Sequence, residues 1–228
     1  MFEPDLVENL PPFEGMTSAD IREVLRCANR AAFAPDEAVF HEGQEAECFF
    51  LLLDGYVRVV RTSEGGQQII SLFIPPGELI GIAAALGRTT YPATAVAATP
   101  VAVLAWPMRL WPQISTRHPG FAAATHRTIG GRFTEMNDRL LELSTGQVQH
   151  RVARTLLRLA AQSGAGAGNG VEIAFPITRR QISEMSGTTL HTVSRLMSSW
   201  EKQGIVESRR KHVAIRNEAE LKALGTAS

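Results

Sequence analysis

The chain has 228 residues, 44% hydrophobic and 20% charged, with a mean hydropathy of -0.03; this excludes a fibre or a wholly disordered chain and fits one or two modest domains. Two cysteines, Cys27 and Cys48, are too few for a disulfide framework or for the four thiolates of a cysteine-held iron–sulfur cluster, and fit a reducing, cytoplasmic setting. The formal net charge of zero is uneven: residues 1–146 carry 11 Lys+Arg against 17 Asp+Glu and residues 147–228 carry 12 against 6, so the C-terminal third has the basic balance of a polyanion binder.

The N-terminal MFEPDLVENLPPFEGM has early acids and neither a basic flank nor an apolar run, so no signal peptide is expected. Residues 17–30 (TSADIREVLRCANR) open on an N-cap candidate and place Ile21, Val24, Leu25 and Ala28 at helical spacing, which predicts a short helix. From Phe33 to about Trp106, runs rich in Val, Ile, Phe and Leu are broken by Gly43, Asp54-Gly55, Glu64-Gly65-Gly66, Pro75-Pro76-Gly77, Gly81 and Gly87, the texture of an antiparallel β sandwich or roll. The longest apolar stretches, 49–53, 80–86 and 93–98, fall well short of the roughly 20 residues of a membrane-spanning helix.

Residues 121–146 place Ile129, Phe133, Met136, Leu140 and Leu143 at alternating steps of four and three, a coiled-coil seam whose expected partner is a second copy of the chain. His126 and Ala122 extend the same stripe backwards, and Gly130-Gly131 marks a soft point, since glycine costs roughly 1 kcal/mol per residue against alanine in a helix. Residues 147–162 read as another helix, and SGAGAGNG as a flexible turn. Then follow VEIAFP, a short helix ITRRQISEMSG, a second helix TTLHTVSRLMSSWEKQG, an alternating segment IVESRRKHVAIRN and a last helix NEAELKAL. Ile182, Met185, Leu190, Val193 and Leu196 spaced around Ser186-Gly187 predict a helix–turn–helix followed by a β-wing. The fold class expected is therefore α+β: an N-terminal antiparallel β-roll (1–116), a long dimerisation helix (117–146) and a C-terminal winged helix-turn-helix (147–228). No P-loop, GxSxG elbow, HExxH or paired-cysteine motif occurs, so no catalysis is expected.

This order of parts resembles the Crp/Fnr family of bacterial transcription regulators, most specifically in EGQEAECFFLLLDGYVRVVR, PPGELIG and GTTLHTVSRLMSSWEKQGIVE. The resemblance implies a homodimer that binds double-stranded DNA at an inverted repeat with TTG-type half-sites and works with RNA polymerase. It implies base reading by His191, Ser194 and Arg195; an arginine fork matches guanine O6 and N7, and histidine stands where many members carry glutamate. Thr178, Arg179, Arg180, Thr188, Thr189, Arg209, Arg210 and Lys211 sit where helix starts and a wing meet phosphates, contacts that position without specifying.

The resemblance also bears on sensing. Members that bind cyclic AMP use a glutamate on the ribose and an arginine on the cyclic phosphate; here the first position reads Ile82, and Tyr91-Pro92 stands at the second, so cyclic AMP is not expected. The N-terminal cysteine cluster of oxygen-sensing members is missing, and an iron–sulfur cluster is not expected either. Cys48 reads as a small buried hydrophobe, and Cys27 as helix packing or an exposed thiol. The remaining likeness, carried by TTLHTVSR, is to the nitric-oxide-responsive Nnr- and Dnr-type regulators of denitrification, which implies haem as a cofactor. Among His41, His118, His126 and His150, His126 on the seam is the candidate ligand. Two alternatives stay open: a ligand-independent regulator controlled by its abundance, and a cyclic-nucleotide-type module acting on a partner protein.

Overall fold

The computed structural model of the chain describes residues 4–63, 65, 68–163, 165–166 and 170–226. It forms two compact units, Met1–Val60 with Ile74–Glu135, and Arg61–Phe73 with Met136–Ser228. The long helix has residues in both units, which meet between Glu135 and Met136. Its first half packs with the roll, and its second half with the C-terminal domain.

The first unit opens with two short 3-10 turns and α1 (Ser18–Leu25), capped by Thr17, whose hydroxyl accepts from the Asp20 amide. That hydroxyl also donates to the Asp20 carboxylate, which holds Asp20 below its ordinary pKa. The helix expected to run to residue 30 stops at Leu25, because Asn29 already begins β1 (Asn29–Phe33), paired along its length with β8 (Val101–Pro107). Strands β2 (Ala38–Phe40), β3 (Cys48–Asp54), β4 (Val57–Thr62), β6 (Leu79–Ile80) and β7 (Thr94–Ala97), with β5 (Gln68–Ile74), whose residues up to Phe73 count with the second unit, complete two four-stranded sheets, ordered β1-β8-β3-β6 and β2-β7-β4-β5.

The apolar run in β3 is continuous because both faces of the strand are covered. Phe49 and Leu51 join a cluster with α1, α2 (Trp111–Arg117) and Phe121 at the start of α3 (Pro119–Thr145), while Phe50 stacks on Phe40 on the opposite face. Trp106 lies 5.4 Å from Phe49 in a stacked pair and donates its indole N–H to the Val24 carbonyl, which ties α1 to the sheet. At the Asp54-Gly55 turn only glycine fits: φ is 80°, and a Cβ would stand 2.1 Å from the Pro100 carbonyl oxygen.

The second unit is built on α4 (Val148–Ser163), α5 (Arg179–Ser186), α6 (Leu190–Lys202), α7 (Glu218–Gly225) and a sheet ordered β11-β12-β10-β9, with β9 Ala165–Gly166, β10 Val171–Glu172, β11 Val206–Arg209 and β12 His212–Ile215. Part of the segment expected as a flexible turn is therefore ordered as β9, whose backbone pairs with β10. Residues 164 and 167–169 of that segment lie outside the described residues, as do 64 and 66 of the Glu64-Gly65-Gly66 turn. Helix α3 runs unbroken through Gly130-Gly131, where an added Cβ on either glycine would meet open space.

Candidate nucleic-acid interface

Thr178 starts α5 as a capping box. Its hydroxyl accepts from the Gln181 amide at 3.1 Å, and the Gln181 side chain accepts from the Thr178 amide at 2.8 Å. The helix stops at Gly187, left-handed at φ 60°, where a Cβ would lie 2.5 Å from Leu143 Cδ2. Thr188 donates its amide back to the Ser183 carbonyl, and Thr189 caps α6 by accepting from the Thr192 amide at 3.2 Å. The turn between the helices thus has three residues, and every backbone angle in it is set by a named bond or by glycine. Gly187→Ala is expected to destabilise the second unit by about 1–3 kcal/mol, the cost of forcing a side chain into the left-handed region; thermal unfolding checks it, and an unchanged midpoint would mean that the turn relaxes freely.

Ile182, Met185, Val193, Met197 and Trp200 are buried between the helices. Leu190, expected in that core, is instead 48% exposed, because it begins α6 at the border between the buried face and the outer one. His191, Ser194 and Arg195 lie on that outer face, His191 and Arg195 exposed and Ser194 half-buried. Leu190 is thus an apolar group beside the three polar ones. Sequence reasoning assigned it to the core, since an amphipathic pattern does not separate a core leucine from one at the edge of the stripe.

The basic residues divide. Arg180 is exposed, with Glu184 at 3.3 Å, whereas the Arg179 guanidinium turns inward to Glu201 at 3.0 and 3.2 Å and to Ser198 and Ser208. Ser208 also donates to Glu201, so Arg179 ties α5, α6 and β11 together rather than standing ready for a phosphate. The wing is a two-residue hairpin in which Arg210 and Lys211 both have positive φ, 39° and 75°, the pattern of a type I′ turn, and both are exposed at its tip. Arg209 is exposed and pairs with Glu207 at 2.8 Å. Arg216 bonds the other Glu207 oxygen, and that hydrogen bond holds the carboxyl below its usual range.

Of the seam residues, Phe133, Met136 and Leu140 are exposed by 65%, 53% and 63%. Ile129 packs against the core of the first unit, whereas Leu143, although one end lies near Gly187, is still 48% exposed, so the open apolar stripe runs from Phe133 to Leu143. Two arginines that no motif singled out, Arg139 and Arg151, supply donors at the end of α5; Arg151 bonds the carbonyls of Ser186 and Gly187 at 2.9 and 3.2 Å, and that of Gly146 at 2.7 Å. Spacing cannot reveal them, because the carbonyls they serve come together only in the fold.

Residues 150–224 match the Crp-like helix-turn-helix domain, and residues 30–118 match the cyclic nucleotide-binding domain. The chain belongs to the Crp/Fnr family of transcription regulators. This Crp/Fnr chain is 28% identical over 196 residues to a cyclic AMP receptor protein of Thermus thermophilus, covering 86% of the chain and 88% of that protein. It is 25% identical over 185 residues to an anaerobic regulatory protein of Aggregatibacter actinomycetemcomitans, covering 81% and 72%. The solved structure of FixK2 from Bradyrhizobium japonicum superposes with a TM-score of 0.78 at 26% identity, over 88% of this chain and 98% of that one.

In the roll of this Crp/Fnr chain, Ile82 and Tyr91, the two positions singled out by the resemblance, are both buried. Ile82 is 5% exposed within the core cluster. Tyr91 stacks on Phe40 with ring centroids 3.9 Å apart, and its phenol donates to the Cys48 carbonyl and accepts from the Cys48 amide. A Cβ on Gly81 would already meet Phe40 and Tyr91 at 3.1 Å. Burial pushes the Cys48 thiol up, away from the thiolate, and Cys27 is exposed beyond the end of α1.

The four histidines expected as candidate haem ligands differ in burial. His41 and His126 are exposed, and His150 is half-buried at the start of α4. His118 is buried, but its ring stands 3.6 Å from Asp20 and 4.0 Å from Glu23, beside a cavity of about 40 Å3 shared with Cys27 and Ile114. Small-molecule sites usually need about 300–1,000 Å3. Among the described residues no group of three or more His, Cys, Asp or Glu could hold a metal ion, and no helix is long and apolar enough to cross a membrane.

Proposed function

We propose that the chain acts as a homodimer that reads an inverted repeat of TTG-type half-sites in double-stranded DNA and from there engages RNA polymerase. The observation that carries this reading is the outer face of α6, where Leu190, His191, Ser194 and Arg195 stand together above a turn closed by backbone and capping bonds. A helix presented by its N-terminal residues enters the major groove, and a two-fold dimer sets two such helices about 34 Å apart. Arg195 is the fork for guanine, and Leu190 offers an apolar contact to a thymine methyl. Thr178, Arg180, Thr188, Thr189, Arg209, Arg210 and Lys211 position the domain on phosphates, while Arg179 acts through its internal network. Arg180→Ala should then lower the salt slope of binding by about 1. Arg179→Ala should leave that slope unchanged and cost about 1 kcal/mol of stability, modest because water screens a pair about one-third exposed.

The input we propose is a nitrogen-oxide or low-oxygen condition, on the resemblance carried by TTLHTVSR and on a relative that is by name an anaerobic regulatory protein. The filled interior around Ile82, Phe40 and Tyr91 favours a protein whose amount, rather than a bound ligand, carries that signal. Fluorescence anisotropy with a TTG-containing inverted repeat under anaerobic conditions tests both parts. The expected result is salt-dependent, sequence-specific binding that is the same without additive, with cyclic AMP, and with ferrous haem plus nitric oxide. Binding that tightens more than about tenfold with either additive, a gain of about 1.4 kcal/mol, would restore a ligand sensor.

A further inference from the structure

We infer that Arg139 is a positioning residue for DNA reading, one that locks the end of α5 onto the edge strand β5 and so sets how α6 is presented. This rests on the DNA-binding function proposed above. The last carbonyls of a helix have no partner within it, and a buried helix end must find donors elsewhere. Here Met185 and Ser186, the last two residues of α5, are 5% and 2% exposed. The Ser183 carbonyl is served by the amides of Gly187 and Thr188, and those of Ser186 and Gly187 by Arg151. Met185 is served by Arg139 Nη2 at 2.8 Å.

The same guanidinium reaches β5. Nη1 of Arg139 donates to the Ser71 carbonyl, and Nη2 also lies 3.3 Å from that of Ile70. Strand β5 ends its sheet, and an edge strand has backbone groups free to bond outside the ladder, as Arg139 does here. A second contact holds the same strand to the same domain: Phe73 stacks on Phe175 at 4.3 Å, two residues before Ile177, whose amide bonds the wing at Lys211. One planar side chain on α3 thus bonds backbone of a strand and of the helix-turn-helix together. Backbone carbonyls cannot rotate away as side chains do, so a shift of β5 has to be followed by the end of α5 or break these bonds. Five N–H donors in a rigid fork suit this task, and a lysine ammonium offers less geometric constraint.

The test uses the full-length protein with Arg139→Gln and Arg139→Lys. Sedimentation first establishes that both remain dimers; a monomeric variant would assign Arg139 to the seam and overturn the inference. Anisotropy then compares an operator of native half-site spacing with one lengthened by a single base pair. Wild type should discriminate sharply between them. Arg139→Gln should bind the native operator about tenfold more weakly, within the range for residues that couple elements, discriminate less between the two, and keep its affinity for random DNA, with Arg139→Lys in between. A lower melting temperature with unchanged spacing discrimination would reduce Arg139 to a structural residue and overturn the inference. Should wild type bind no operator, the proposed function fails and hydrogen exchange still decides the inference. In Arg139→Gln, exchange at 69–73 and at 185–190 should rise together, and a rise in one segment alone overturns the coupling.

Discussion

Replacing Leu140 with aspartate is expected to convert the dimer to monomer at micromolar concentration in sedimentation velocity. Leu140 is 63% exposed in the single chain, on a stripe with Phe133 and Met136 that the described residues leave open. Burying a leucine side chain contributes about 1.5–3 kcal/mol, and two-fold symmetry counts it twice, so the change removes about 3–6 kcal/mol before the cost of an unpaired buried carboxylate. That corresponds to a dimer weaker by about two to four orders of magnitude. Leu141→Asp is the control: Leu141 is equally exposed, yet lies off the four-three register, and its variant should stay dimeric. A Leu140→Asp protein that sediments as wild type would place the partner surface elsewhere.

Arg195→Ala should weaken operator binding by about 1–3 kcal/mol per half-site and flatten the preference at one guanine. Each base of the half-site is replaced in turn, and the profile of wild type is compared with that of the variant. Discrimination should fall at that one position and persist at the others. The salt slope should change by no more than about 1, because a single charge is lost. A profile that stays sharp at every position would remove Arg195 from the base-reading set, leaving Leu190, His191 and Ser194 to be tested in the same way.

Helix and strand types were legible wherever the periodic pattern was long. The α6 segment shows its cap, its apolar face and its polar face in TTLHTVSRLMSSWEKQG, and the structure places the helix at Leu190–Lys202. The wing was legible because Arg-Arg-Lys interrupts two alternating runs, although its left-handed turn conformation was not. The end of α1 was misjudged because ANRAAF is compatible with either state, and pairing with β8 resolved it toward strand.

Chemistry carried by residue type and local spacing was therefore in the chain itself: the basic C-terminal third, the two-helix unit with its glycine turn, and the apolar stripe of the long helix. Everything that depends on which backbone carbonyl or carboxylate lies within reach of a side chain had to await the fold. Arg179 became an internal brace, Ile129 left the open stripe, Leu190 came to the surface, and Arg139 joined β5 to α5. The physical reason is the same in each case. A sequence pattern states which side of its own element a residue occupies, whereas a hydrogen bond across 46 positions of chain, as between Arg139 and Met185, exists only once both ends have been packed.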